Sequence, residues 1–238
     1  MPRATPAAPS LLGLRQIRFL SELPAAALEQ LGRDCRWHRY APSQQVISRD
    51  APERDVYLIV TGLVRATAFS AAGRQVTYRE IPAGDWFGDF SAIDGHTRSA
   101  DVVAVKETLV ATMSPAVFRR LIHEHPSVCD HMLLRLVTSV RELTERVFEF
   151  STLGVQNRVH AELLRLARQS GILKNRARIE PAPKHAELAA QVSTYREQVT
   201  REISRMVKQG LLARDGRALI VQDIARLEGL VSAVRRSA

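Results

Sequence analysis

The stretch FGDFSAIDGHTRSA, Phe87 to Ala100, places a carboxylate directly after a glycine and then, nine residues on and past a second glycine, an Arg-Ser pair. Asp89 is an acceptor and Arg98 is a planar fork of donors. A loop that brings the two together offers a grip on an anion at one end and a hydrogen-bond acceptor at the other. A plain Asp89–Arg98 ion pair is the simpler use of the same residues. What the rest of the chain builds around the stretch decides between these uses.

From Pro42 to Gly95, short apolar runs such as VYLIV and LVRATAF alternate with turn residues. Gly62, Gly73, Gly84 and Gly95 follow one another every eleven residues. Regular turns at that spacing predict an antiparallel β-barrel or sandwich, with strands that keep one wet face. Ahead of it, ELPAAALEQLG predicts a short helix over Glu22–Gly32 that ends at its glycine.

From Pro126 to about Leu153 the sequence predicts one long helix. Cys129, Leu133, Leu136, Val140, Leu143, Val147 and Phe150 are spaced 4, 3, 4, 3, 4, 3, the narrow apolar seam of a coiled coil. Such a seam calls for a second helix, most simply its own copy across a two-fold axis. After Gly154, HAELAAQV and YREQVTREISRMVKQG are two helical segments joined through Ser193-Thr194, a helix-turn-helix pattern. Ala189, Val192, Val199, Ile203 and Met206 then face the core, and Arg196, Glu197, Thr200, Arg201 and Arg205 face away. The tail GLLARDGRALIVQD predicts two short strands around Arg214-Asp215-Gly216-Arg217, a wing after the second helix.

Composition and charge narrow the function classes. A chain of 238 residues with two widely separated cysteines, Cys35 and Cys129, needs no disulfide framework and suits a reducing cytoplasm. The longest uncharged stretch, Thr108 to Phe118, falls short of the ~18 residues that a bilayer requires. The net charge is +9; residues 1–157 carry 18 Lys/Arg against 17 Asp/Glu, and residues 158–238 carry 16 against 8. A basic block of that size normally faces a polyanion, nucleic acid or an anionic membrane surface, with a solvated basic surface as the plainer use. His123-Glu124-His125 lacks further ligands at metal spacing. Neither G-x-S-x-G, HExxH nor a Walker sequence is present, which argues against an enzyme.

In this order, GDWFGDFSAIDGHTRSA, a dimer-type helix and STYREQVTREI resemble the Crp/Fnr family of transcription regulators, over about Phe19 to Val221. The resemblance implies an α+β chain in three parts. These are a jelly-roll-like cyclic-nucleotide-binding β-barrel over 1–125, a dimerisation helix over 126–153, and a winged helix-turn-helix DNA-binding domain over 154–238. It implies a cyclic nucleotide bound by Gly88, Asp89, Phe90, Arg98 and Ser99, with Asp89 taking the ribose hydroxyl and Arg98-Ser99 the cyclic phosphate. Asp89 stands where the family has glutamate. The purine-contacting positions fall on Leu143 and Thr144, where the family has a hydroxyl pair. The sugar and phosphate contacts are common to both nucleotides, so cyclic GMP is expected beside cyclic AMP, with no metal cofactor.

The same resemblance implies a palindromic TGTGA-type operator on double-stranded DNA, met by Thr194, Tyr195, Arg196, Glu197, Thr200 and Arg201. Arg196, Glu197 and Arg201 match the base-reading trio: arginine grips guanine O6 and N7, and glutamate accepts from cytosine N4. A capping box between Thr194 and Glu197 competes for that carboxylate. Ser193 stands where the family often has glycine. The implied partners are the chain's own copy through residues 129–150 and RNA polymerase, for which the exposed loop Gly171–Arg178 is the positional candidate; no membrane is implied. A regulator sensing another signal or none, and a sensor module acting through protein partners, remain the alternatives.

Overall fold

The computed structural model describes residues 5–69 and 75–237; Gly73 of the predicted glycine series lies outside them. The chain divides into two compact units, Met1–Ser139 and Val140–Ala238.

In the first unit, strand β1 (Thr5–Pro6), helices α1 (Leu11–Arg15) and α2 (Ala25–Asp34), and strands β2 (Arg36–Tyr40), β3 (Gln45–Ile47), β4 (Val56–Thr61), β5 (Leu63–Phe69), β6 (Gln75–Pro82) and β7 (Trp86–Phe87) lead to the short helix α3 (Asp89–Asp94). Strands β8 (Asp101–Ala104) and β9 (Thr108–Met113) and helix α4 (Pro115–Glu124) follow, and then the long helix α5 (Pro126–Thr152). The strands pair antiparallel in two sheets, ordered β1-β2-β9-β4-β7 and β3-β8-β5-β6. Ile59 and Phe87 of one sheet pack against Val64, Ile81 and Val102 of the other, so the sheets close face to face as a jelly roll. Gly62 turns β4 into β5 at φ +103, where a Cβ would lie 2.6 Å from the Glu107 carbonyl oxygen. Only glycine fits there.

Two sequence expectations change. The predicted first helix does not end at Gly32 but runs to Asp34, with Gly32 buried inside it. A Cβ on Gly32 would come within 2.7 Å of Leu11, so this glycine lets α1 and α2 pack closely and stops nothing. The second concerns the wet strand face. On β4, Val56, Leu58 and Val60 join Leu14, Leu28, Phe118, Val128 and Met132 in one core, while Ile59 faces the opposite sheet. Helices cover the outer face of the five-stranded sheet, which is why VYLIV is apolar without a break.

The second unit contains the end of α5, helix α6 (Val155–Ser170), strands β10 (Ile172–Leu173) and β11 (Arg176–Ile179), helices α7 (His185–Gln191) and α8 (Arg196–Lys208), strands β12 (Leu212–Asp215) and β13 (Ala218–Val221), and helix α9 (Ile224–Ser237). The sheet order is β10-β11-β13-β12. Val159, Leu163 and Ala167 of α6 meet Leu188, Val199, Ile203, Met206, Leu219 and Leu227 in its core. The wing forms as expected: Asp215 pairs with Ala218 across a two-residue turn in which Gly216 has φ +56. Gly171–Arg178, expected as a loop, is instead the β10–β11 hairpin, turned by Lys174 and Asn175 at φ +49 and +62. Strands of two and four residues are too short to show alternation in sequence. Helix α9 was not anticipated, although Asp223 accepts from the Arg226 N–H at 2.9 Å and Ile224, Leu227 and Val231 follow at helical spacing.

Candidate effector pocket and DNA-reading helix

The predicted effector residues of the first unit gather at the β7–α3 corner. Gly88 has φ +87, and a Cβ there would fall 2.7 Å from both the Asp55 carbonyl oxygen and Arg98 Nη1. Its lack of a side chain leaves room for the arginine. Arg98 is 3 % exposed. Its Nη1 donates to the Gly88 carbonyl at 3.1 Å and its Nη2 to the Asp55 carbonyl at 2.7 Å. Its buried Nε–H has no hydrogen-bond partner among the described residues. The Tyr57 ring lies 5.7 Å from the guanidinium carbon and stacks on Phe87 at 4.9 Å.

Asp89 and Arg98 form no ion pair with each other; backbone carbonyls, not a carboxylate, hold the arginine. Asp89, 6 % exposed, opens α3 and accepts a hydrogen bond from Trp86 Nε1 at 3.3 Å. Burial pushes its carboxyl above the ordinary aspartate value, against the charge of Arg79 and hydrogen bonds from its own backbone N–H, Trp86 and the Phe90 N–H. Phe90 is half exposed and Ser99 is exposed.

Tyr57, Arg79 and Trp86 escaped the sequence reading. Arg79 was detectable in principle: Thr77 and Ile81 on either side of it are buried, so alternation along β6 turns Arg79 inward. It donates from Nη2 to the Trp86 carbonyl at 3.2 Å.

Leu143 and Thr144 lie on the part of α5 that belongs to the second unit, and both are exposed. The Thr144 hydroxyl donates to the Val140 carbonyl at 2.9 Å, which leaves its oxygen able to accept. Along the seam, Leu133, Val140, Leu143 and Val147 are 56–64 % exposed in the single chain. Val128 and Met132 are the buried residues of this helix.

In the helix-turn-helix, Ala189, Val192, Val199, Ile203 and Met206 are all buried between the helices. Tyr195, Arg196, Glu197 and Arg201 are exposed on α8, and Thr200 is half-buried. Thr200 donates to the Arg196 carbonyl at 2.9 Å and shares a 2.7 Å hydrogen bond with His185 Nδ1, which joins α7 to α8. Thr194 is turned inward: it is buried, its N–H donates to the Ala189 carbonyl at 2.9 Å, and its hydroxyl bonds Gln198. Its expected place on the DNA face is therefore corrected to one in closing the turn. The capping box is also absent. The N-cap is Tyr195, without a side-chain cap, so the Glu197 carboxylate stays available. Ser193 holds φ +51, a left-handed conformation that explains glycine at this position in the family. Beneath the helix, His160 Nε2 of α6 and Glu202 Oε1 lie 2.5 Å apart, both buried, and Arg205 Nη2 donates to the same oxygen at 2.7 Å. Neither partner of that buried link was read from the sequence, because 42 residues separate them.

Comparison with known proteins agrees with this geometry. Residues 37–125 match the cyclic nucleotide-binding domain family and residues 157–230 the Crp-like helix-turn-helix domain family. The cAMP-activated global transcriptional regulator CRP of Escherichia coli is 25% identical over 195 residues, 82% of this chain and 93% of that protein. Among solved structures, a CooA variant from Carboxydothermus hydrogenoformans aligns with TM-score 0.77 at 19% identity, over 91% of this chain and 95% of that one. The c-di-GMP responsive global regulator CLP of Xanthomonas campestris aligns with TM-score 0.71 at 18% identity, over 83% and 99%. Two family domains in this order, joined by the long helix α5, make the chain a non-enzymatic, DNA-binding member of the Crp/Fnr family of transcription regulators.

Proposed function

We propose that this regulator is a homodimer controlled by a cyclic nucleotide, with cyclic AMP and cyclic GMP both able to enter its effector site. Arg98 carries the reading: a buried guanidinium, fixed by two carbonyls, keeps an N–H without a partner among the described residues, beside the start of α3. A cyclic phosphate supplies the missing acceptor. Ser99 adds a hydroxyl to that phosphate, Gly88 and Phe90 line the approach, and Asp89 accepts from the ribose. Thr144 of the partner copy, with Leu143 beside it, reaches the purine and sets the choice between bases.

The exposed seam of residues 129–150 supplies the dimer interface, and the working division is 1–125, 126–153 and 154–238. Arg196, Glu197 and Arg201, with Tyr195 and Thr200 beside them, read a palindromic TGTGA-type operator in the major groove. The β10–β11 hairpin, with Leu173 76 % exposed at its turn, is the candidate contact for RNA polymerase. The cytoplasm is the proposed setting for this work. Calorimetric titration with cyclic AMP and cyclic GMP, with and without such a duplex, tests the reading. Submillimolar binding that tightens with DNA supports it, and heat-silent titrations at millimolar nucleotide refute it.

Arg79 favours a second reading. It is a cation turned inward beside Asp89, and it suits an effector with a second negative charge, as in the cyclic dinucleotide to which CLP responds. Cyclic di-GMP in the same titration separates the two.

A further inference from the structure

We propose that Trp86 relays the state of Asp89 to the long helix α5, acting as a positioning residue between the effector site and Arg135. The proposal rests on the effector reading above for the identity of the input, and on the contacts of Trp86 for the path.

Trp86 is 2 % exposed and touches both ends of that path. Its Nε1–H donates to Asp89 Oδ2 at 3.3 Å. The Arg135 guanidinium carbon, from α5, lies 4.7 Å from the centroid of the indole ring, a cation–π contact in a site with little water. Arg135 also pairs with Asp85, whose Oδ1 accepts from the Trp86 backbone N–H at 3.0 Å. One carboxylate thus ties the backbone of the tryptophan to the cation on its ring. Phe19 meets the indole edge-on at 4.7 Å, and Arg79 donates to the Trp86 carbonyl at 3.2 Å. Val128 and Met132 anchor α5 in the barrel core through apolar packing; Arg135, one turn further on, adds a directional polar contact.

Two arrangements of Asp89 follow. In the first, seen in this structure, its carboxylate engages the indole through a 3.3 Å bond, at the long end of the N–H···O range. A donor hydroxyl from an effector competes for the same oxygens. Loss of the Asp89 contact frees the indole edge to tilt, and the ring cannot tilt without moving the guanidinium that covers its face and the Asp85 pair behind it. The effector thereby has a differential interaction with two positions of α5, which any ligand-driven shift requires.

Trp37 and Trp86 are the two tryptophans of the chain, so Trp37→Phe isolates the emission of Trp86. Titration of that protein with cyclic AMP shifts the emission along the same isotherm that calorimetry gives. Cyclic AMP and a TGTGA-type duplex raise each other's affinity by the same factor, about tenfold or more, as linkage demands. In Arg135→Gln, and in Trp86→Phe, which keeps an aromatic ring but loses the N–H, cyclic AMP still binds and both gains collapse towards one. Full retention of the mutual gain in Arg135→Gln, or binding without any change in Trp86 emission, overturns the relay. If wild type binds no cyclic nucleotide, the effector assignment fails separately. The relay is then judged on ligand-free protein: a change of about tenfold in operator affinity for Arg135→Gln upholds it, and unchanged affinity overturns it.

Discussion

The arginines of the barrel and those of the reading helix have the same chemistry and opposite settings. Arg98 is buried and fixed by two backbone carbonyls, whereas Arg196 and Arg201 stand exposed on α8. A buried, preset guanidinium serves a small ligand that brings one charge and cannot reorganise its host. Exposed guanidiniums serve a polyanion whose phosphates and base edges arrive with the groove, and their contacts weaken with salt. On the roles proposed above, stability and function are coupled tightly at Arg98 in the barrel and loosely at Arg201 on the helix.

Arg98→Ala probes that coupling hardest. It removes a charge-assisted contact and leaves the Gly88 and Asp55 carbonyls without their donor. We expect cyclic AMP affinity to fall by about 1.5–3 kcal/mol or more, together with a loss of folding stability of about 1–3 kcal/mol. Calorimetry and thermal melting measure the two. A mutant with normal affinity breaks the comparison at its root.

Arg201→Ala is expected to do the reverse. Discrimination between operator and random DNA drops by about 1–3 kcal/mol, while the melting curve moves within about 0.5 kcal/mol of wild type. Equal weakening on both duplexes, measured by anisotropy across salt concentrations, removes Arg201 from base reading.

Asp89→Asn sharpens the contrast through pH. Burial raises the Asp89 carboxyl above its ordinary value of 3.8. The folded protein therefore binds this proton more tightly than the unfolded chain, and the associated stability is present at low pH and lost as pH rises through the raised value. Asparagine keeps an acceptor for Trp86 and does not ionise. The melting temperature of the variant minus that of wild type should accordingly increase from about pH 4 towards neutrality. A difference independent of pH contradicts the shift.

The smallest effect concerns the turn residue Ser193. Ser193→Gly relieves a left-handed residue at a cost of about 1–2 kcal/mol, offset by about 0.4–1 kcal/mol of unfolded-chain entropy. A gain of about 0–1.6 kcal/mol in denaturant unfolding is expected. Gly88→Ala goes the other way, because its Cβ meets the Asp55 carbonyl oxygen at 2.7 Å.

Periodic and local features were legible in the sequence: the α5 seam, the helix-turn-helix core at Ala189, Val192, Val199, Ile203 and Met206, and the wing turn at Gly216. Each depends on residues a few places apart, and so does the corner at Gly88. The failures have one physical origin. Gly32 looked like a stop because its reason for being glycine, Leu11 of another helix, is distant in sequence. Thr194 looked like a surface residue because burial of a hydroxyl depends on finding Gln198 as a partner. Trp86 was within the quoted motif, yet its indole acts on Arg135, 49 residues away, which no spacing rule reveals. The residues proposed to touch a ligand were read from a motif; the residues that hold them were not.

The apolar seam of α5 has a consequence for dosage. In the homodimer proposed above, a helix that leaves Val140, Leu143 and Val147 open to water in the single chain makes association a second-order event, so the dimer grows with the square of total protein when copies are few. Dilution then resembles effector withdrawal: thermal stability falls with concentration, and a cell that halves the supply of this protein loses more than half of its occupied operators. For such a dimer, abundance is an input of the circuit in its own right.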